Sequence, residues 1–141
     1  MIVLTRISLI NLKNNRMDKL EYIPGDLVKF ATNTYTIVNF GENFLQSKIY
    51  ALISTNSTKT AFVEDRDILP IPLTPEILEK NGWELDSATW IYKKGYIKVF
   101  KLLDDKTYAA YIFEVRVFEF HFIHELQHLL FGLGINHEME V

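Results

Sequence analysis

The sequence contains no cysteine, and this absence excludes several kinds of chemistry at once. Disulfide bonds, thiolate metal sites and cysteine nucleophiles are all ruled out. Long apolar runs are missing too, since no stretch approaches the roughly 18 residues of a membrane-spanning helix. Residues 1–10 have some features of a secretion signal, but Arg6 interrupts them and no small-residue cleavage site follows. We therefore expect a soluble intracellular protein that does not contact a membrane.

An excess of basic charge is also absent. The chain has 15 Lys and Arg against 18 Asp and Glu, which gives a net charge of −3. It therefore lacks the electrostatic footprint of a nucleic-acid-binding protein, and nucleic acid is not an expected partner. With 141 residues, 48% of them hydrophobic and 23% charged, the chain is long and apolar enough for one compact domain with a sizeable core.

The first half of the chain alternates short apolar strands with turn signals. Residues 1–16 end in a polar break directly before Met17, so we interpret them as an N-terminal extension and Met17 as an alternative start to Met1. Residues 17–70 form a β-rich lobe, in which Pro-Gly-Asp at residues 24–26 precedes the first of four short strands separated by turns. Such spacing predicts a small antiparallel SH3-like barrel or a curled sheet.

Two prolines mark the middle of the chain. Pro70 and Pro72 keep the backbone extended and exclude it from the interior of a sheet. Residues 71–83 are therefore a hinge and a short linking helix, which Thr74 caps. Residues 84–141 are predicted as a three-stranded antiparallel meander plus a C-terminal helix. The result is an α+β protein, and the sequence leaves open whether the two β units share one sheet.

Residues 121–134 carry three of the four histidines and have the apolar period of a helix. One wide face is apolar and consists of Phe122, Ile123, Leu126, Leu129, Leu130 and Leu133. The opposite face is polar and carries His121, His124, Glu125 and His128. This is an amphipathic pattern, so we expect the helix to cover the meander while its histidines point into solvent.

Within this helix, residues 124–128 match the HExxH pattern of zinc proteases. In such enzymes two histidines bind zinc from one helix face, and the glutamate activates a water molecule. Here His124 and His128 would bind the metal and Glu125 would act as the base. A third ligand is missing, because Gly134 occupies the position where a third histidine is expected. We therefore predict no catalytic residue, no metal and no cofactor, with a zinc-dependent hydrolase as the alternative.

Other candidate residues have ordinary structural interpretations. Four aromatic residues near the short helix can stack on a base or a sugar, but core packing is the commoner role. They are Trp83, Trp90, Tyr92 and Tyr96. Asp104 and Asp105 resemble part of a metal site, yet carboxylates between two strands more often form a turn.

The hinge and the helix resemble those of a known group of proteins. The hinge reads IPLTPEILEKNGW at residues 71–83, the first lobe has GDLV at residues 25–28, and the helix contains HELQH. Over most of residues 24–141 these features resemble small uncharacterised proteins encoded by phages and mobile elements of gut bacteria. In that family the places of Glu125 and His128 are commonly Gln and Asn, which implies that the zinc pattern is peculiar to this chain.

The resemblance implies a phage or mobile-element setting and supplies no site residue. Small acidic proteins of that setting are often accessory factors that act by binding. We therefore expect a non-catalytic binding protein in the cytoplasm of a bacterial host, with a counter-defence role such as capture of a host protein or of a small nucleotide signal. The alternatives are a zinc-dependent hydrolase and an SH3-like module that binds nucleic acid. The sequence does not specify the oligomeric state.

Overall fold

The computed structural model describes residues 21–43, 45 and 47–141. The interpretation of residues 1–16 and the choice between Met1 and Met17 concern residues outside this part of the chain. Within it the chain forms two five-stranded antiparallel sheets, a short helix between them and a longer helix after the second sheet. The prediction of an antiparallel α+β protein is confirmed, and the two β units form separate sheets.

The first sheet has the spatial strand order β4-β3-β2-β1-β5. Its strands are Leu27–Phe30 (β1), Asn33–Glu42 (β2), Lys48–Ser54 (β3), Thr60–Glu64 (β4) and Leu69–Pro70 (β5). Strand β1 pairs with both β2 and β5, and a 3₁₀ turn at Asp65–Asp67 lies between β4 and β5. The four predicted strands are all present. Pro70 lies in an edge strand, where the missing N–H group of proline is tolerated.

Alternation along the strands gives the first sheet its own core. Tyr35 and Ile37 on β2 and Tyr50 and Leu52 on β3 point inward and are almost completely buried. They pack with other buried side chains, namely Tyr22, Val28, Val63 and Ile68. Because side chains alternate between the two faces of a strand, the intervening residues face outward.

The segment between the sheets is tied to the start of the last helix. Residues 71–73 make backbone hydrogen bonds of 2.9 and 3.0 Å with residues 121–123. Helix α1 then spans Pro75–Lys80, and the Thr74 hydroxyl accepts a hydrogen bond from the Ile77 N–H at 3.2 Å. The predicted cap is therefore confirmed. A side-chain oxygen at this position satisfies an N–H group that has no partner inside the helix.

The second sheet has its strands in sequential order from β6 to β10. They are Glu84–Asp86 (β6), Ile91–Lys94 (β7), Ile97–Lys101 (β8), Tyr108–Ile112 (β9) and Val115–Phe120 (β10). The predicted three-stranded meander does not include β6, and it treats β9 and β10 as one continuous strand. They are separated by a two-residue turn at Phe113 and Glu114, with φ of 49° and 68°. Positive φ is uncommon outside glycine, and neither Phe nor Glu is typical of it. The sequence therefore gives no turn signal at this position.

Helix α2 spans Ile123–Gly132 and packs its apolar side on the second sheet. The larger core of the molecule combines residues of both elements, among them Ile97, Val99, Ala110, Ile123, Leu126 and Leu130. Leu78 of α1 and Leu27 of the first sheet join the same core. No helix in the described part of the chain has both the length and the apolar character needed to cross a bilayer.

Candidate functional site

The first turn of α2 uses the glutamate of the HExxH pattern as a cap. The Glu125 carboxylate accepts hydrogen bonds from the backbone N–H of His121 at 2.9 Å and of Phe122 at 3.0 Å. A glutamate at the third position of a helix that reaches back in this way stabilises the helix start. The Glu125 side chain is buried while it does so. Its carboxylate therefore has a structural role.

The polar side of α2 does not lie in solvent, and the prediction that its histidines point outward is wrong. His124 is fully buried, Gln127 is 1% exposed and the His128 side chain is 16% exposed. The reason is that residues 22–27, at the start of β1 and just before it, cover the side of α2 opposite the second sheet. An amphipathic pattern identifies the apolar side of a helix but does not show what packs on its polar side.

Gln127 joins three separate segments of the chain. Its Oε1 atom accepts a hydrogen bond from the Leu27 N–H at 2.9 Å. Its Nε2 atom donates to the carbonyl oxygens of Gly25 at 3.1 Å and His137 at 3.0 Å. A side-chain amide has two donor hydrogens and one acceptor oxygen, so all of its hydrogen-bonding atoms are used. The start of the first sheet and the chain after α2 are thereby held against the helix.

Asp26 and His128 form the second polar contact between α2 and the first sheet. The Asp26 Oδ2 atom lies 2.8 Å from His128 Nε2 and accepts a hydrogen bond from the Ile23 N–H at 2.8 Å. Asp26 is 1% exposed. Burial raises the pKa of its carboxyl group, and the hydrogen bond with His128 opposes that rise. The buried carboxyl group therefore depends on a partner that α2 supplies.

The other two histidines of the motif region point in different directions. The His124 ring lies 4.9 Å from the ring of Tyr22, in the first sheet's core. His121 Nε2 lies 3.1 Å from the Thr107 hydroxyl, which donates to Asp104 at 2.6 Å. This bond and backbone N–H groups lower the pKa of Asp104 to about 2. Asp104 thus stabilises the turn before β9, as predicted for it.

These contacts bear on the zinc alternative. The His124 and His128 rings are 5.6 Å apart between centroids and nearly perpendicular, at 83°. His128 Nε2 is already in contact with Asp26, and Glu125 caps the helix. In the described part of the chain, no group of three or more His, Asp or Glu residues is placed to hold a metal ion. The geometry does not favour a zinc site.

Sequence analysis did not identify two of the residues that build this junction, Asp26 and Gln127. Asp26 lies directly before β1, whereas its partner His128 is 102 residues away. Gln127 binds Leu27 across 100 residues. Local patterns extend over one helix or one hairpin, so no signal in the sequence links these positions.

The aromatic residues near α1 do not form a common stacking surface. Trp83 and Tyr92 are buried in the larger core, as the core-packing interpretation predicts for them. Trp90 and Tyr96 are 70% and 40% exposed. The Tyr96 ring stacks on the ring of Phe113 at a centroid distance of 4.7 Å. The four residues therefore divide between the core and the surface.

Lysines of the second sheet lie beside carboxylates. The pairs are Lys93 with Asp86 at 3.5 Å, Lys98 with Glu114, and Lys101 with Asp105 at 3.7 Å. Nucleic-acid binding depends on positive side chains that replace counterions on the phosphates. Neighbouring carboxylates reduce the positive potential, so this arrangement does not favour a nucleic-acid contact.

Comparisons with protein-family models, with curated proteins and with solved structures find no match to this chain. The resemblance to phage and mobile-element proteins therefore stays a prediction.

Proposed function

We propose that this protein is a non-catalytic binding protein whose partner is another protein. The distribution of polar and apolar side chains carries this proposal. His124 and Glu125, the metal ligand and the base of the HExxH pattern, are buried at the junction between the sheets, and so is the polar Gln127. Large apolar side chains, by contrast, are exposed on the outer face of the first sheet. An exposed apolar surface is suited to contact with another protein.

The apolar surface lies on the face opposite the core of the first sheet. Phe62 on β4 is 78% exposed, Val38 on β2 is 46% exposed and Ile53 on β3 is 40% exposed. Phe62 pairs with Ala51, which is on the same face as Ile53. Aromatic residues in such a cluster often supply much of the binding energy of an interface. Phe62 is therefore the expected anchor of the contact.

We also propose that the first sheet is an SH3-like barrel. The pairing of β1 with both β2 and β5 supports this assignment, and so does the 3₁₀ turn directly before β5. A small barrel leaves its outer surface free to carry a binding site. The barrel itself does not specify the partner, because one fold serves many functions.

The resemblance to phage and mobile-element proteins extends the proposal to an accessory, counter-defence role in which the partner is a host protein. A nucleotide signal has less support, because Trp83 and Tyr92 are in the core and the exposed Tyr96 ring is already stacked on Phe113. The contacts of Glu125 and His128 do not favour the zinc hydrolase. The pairing of lysines with carboxylates does not favour the nucleic-acid module.

Affinity capture from crosslinked bacterial host cells tests the proposal with a matched pair of variants. Phe62→Glu places a charge on the outer face of the first sheet. Phe113→Glu places the same charge in the turn between β9 and β10 of the second sheet, at a residue that is 71% exposed. We expect Phe62→Glu to reduce recovery of a specific protein at least tenfold, about 1.4 kcal/mol of binding free energy. Phe113→Glu should recover it like the unmodified chain.

Equal recovery by both variants would contradict the assignment of this surface. Both substitutions are at exposed positions, so matching thermal denaturation curves serve as the folding control. Calorimetry with cyclic and ADP-ribose-type nucleotides tests the other ligand class. A saturable heat of binding would contradict the protein partner in favour of a nucleotide.

A further inference from the structure

After α2, residues 136–141 form neither helix nor strand, and we call this segment the tail. Gly134, with φ of 71°, reverses the backbone at the end of the helix. Burial then alternates, because Glu138 and Glu140 are exposed while Met139 is 8% exposed and belongs to the larger core. Alternation of this kind is typical of a bound extended strand. The tail is therefore held by one side-chain face.

Side chains at the end of α1 bind the tail through its backbone. The Asn81 side chain accepts a hydrogen bond from the Glu140 N–H at 2.8 Å and donates to the Glu140 carbonyl at 2.8 Å. The Asn81 amide also donates to the Ile77 carbonyl at 2.7 Å, which fixes its orientation. Lys80 Nζ donates to the Val141 carbonyl at 2.8 Å. Backbone bonds of this kind do not depend on the side chain of the bound residue.

The groove around the tail contains unfilled space. An open pocket of about 310 Å³ lies beside Met139 and Val141, between α1 and the first sheet. Leu27, Asn56 and Lys80 are among the residues that line it. The tail therefore occupies the groove without filling it, and a bulkier side chain can be accommodated next to the position of Met139.

We propose that this groove is a site for an extended peptide of a partner protein with an apolar residue at the place of Met139, and that the tail occupies it in cis. Backbone hydrogen bonds combined with a pocket for alternate side chains are the general chemistry of extended-peptide recognition. The peptide carries an apolar residue at the place of Met139, and its next residue is held through the backbone by Asn81. Lys94 Nζ donates to the Asn81 carbonyl at 3.0 Å and so helps to hold Asn81 in place.

The test measures fluorescence polarisation of a labelled synthetic peptide, GINHEMEV, which has the sequence of residues 134–141. In the full chain, Met139→Asp puts a charge into the core and releases the tail. We expect the peptide to bind this variant at least tenfold more tightly than the unmodified chain, in which the tethered tail competes. A control peptide with Asp in place of Met should not bind.

The Asn81→Ala substitution in the released variant should weaken binding at least tenfold, because two backbone hydrogen bonds are lost. Asn33→Ala, at an exposed position of the first sheet, is the matched control and should leave binding unchanged. If Met139→Asp does not unfold cooperatively, Met139→Ala replaces it as a milder release of the tail. Phe62→Glu should leave peptide binding unchanged, so failure here is distinguishable from failure of the proposed function.

A folded, released variant that does not bind the peptide, or that binds the control peptide equally well, would overturn the proposal. Formation of a dimer by the unmodified chain, abolished by Asn81→Ala, would also overturn it. In that case the occupant of the groove is the tail of a second copy.

Discussion

Helix α2 contacts the second sheet through apolar side chains, and the first sheet through hydrogen bonds and the buried ring of His124. Ile123, Leu126 and Leu130 share a core with the second sheet. On the other side, Gln127 and His128 bind the segment that leads into β1. Apolar burial is strong and has little directional preference, whereas a hydrogen bond contributes less and requires a defined geometry. The second sheet therefore supplies most of the helix's stability, and the first sheet is positioned by a few polar contacts.

The largest expected effect on stability comes from a substitution on the apolar side of α2. Leu126→Ala removes a fully buried side chain and leaves a cavity, so we expect the free energy of unfolding to fall by about 2–5 kcal/mol. Urea denaturation followed by circular dichroism measures this change. Phe131→Ala, at a residue of α2 that is 59% exposed, is the control and should cost less than about 0.5 kcal/mol. Equal losses for the two variants would mean that the helix is not packed as described.

A smaller effect is expected from Gln127→Leu on the polar side. The substitution keeps the size of the side chain but leaves the Leu27 N–H and the carbonyls of Gly25 and His137 without their partner. Only the bond to the Leu27 N–H is fully buried, whereas the bonds to the two carbonyls are partly buried. We therefore expect a loss of about 1–3 kcal/mol, the cost of one unsatisfied buried polar group. Hydrogen exchange should also accelerate at the Leu27 amide. Unchanged exchange there would show that Gln127 does not hold the first sheet.

The contact between Asp26 and His128 should show a coupling of about 1–2 kcal/mol in a double-mutant cycle. The cycle uses Asp26→Ala, His128→Ala and the double variant, with stability measured by urea denaturation near neutral pH. Coupling is expected because each single change leaves the other side chain without its partner at 2.8 Å. Strictly additive effects would mean that the two side chains do not stabilise the junction together.

The apolar contacts of α2 could be predicted from the sequence, and its polar contacts with the first sheet could not. Helical period identified the apolar side of α2, and Thr74 identified the start of α1, because both signals lie within a few residues. Asp26 and His128 are brought together by the packing of the two sheets. The turn at Phe113 and Glu114 was missed for a different reason, since neither residue is typical of the positive φ found there. The HExxH pattern of a zinc site includes His124, but in the folded protein this side chain is buried against Tyr22 of the first sheet's core.

Substitution of the buried Tyr108 should have a still smaller effect on stability at neutral pH. Burial raises the pKa of Tyr108 to about 12, and its hydroxyl has no hydrogen-bond partner among the described residues. Tyr108→Phe should therefore change stability by less than about 0.5 kcal/mol at pH 7. Above pH 10 the unfolded chain loses the proton while the folded chain keeps it, so stability falls as the pH rises from 10 to 12. The variant should lose less stability than the unmodified chain over this range.

Denaturation at pH 7 and at high pH measures the difference. Tyr50, in the core of the first sheet, also has a pKa that burial raises. Its ionisation should destabilise the unmodified chain and the Tyr108→Phe variant equally, so it leaves the difference between them unchanged. Identical loss in the two proteins would show that Tyr108 does not contribute to the alkaline transition.

Addition of zinc should have the smallest effect, with no change in the melting temperature. Coordination by the motif requires His128 to leave Asp26 and an ion to reach His124, which is fully buried. Saturation at one hundred times the dissociation constant would stabilise the protein by about 2.7 kcal/mol, a shift that differential scanning calorimetry resolves. A rise in melting temperature that a chelator reverses and His128→Asn abolishes would contradict the structural role of the histidines. It would also mean that the polar side of α2 can exchange its contacts with the first sheet for a metal ion.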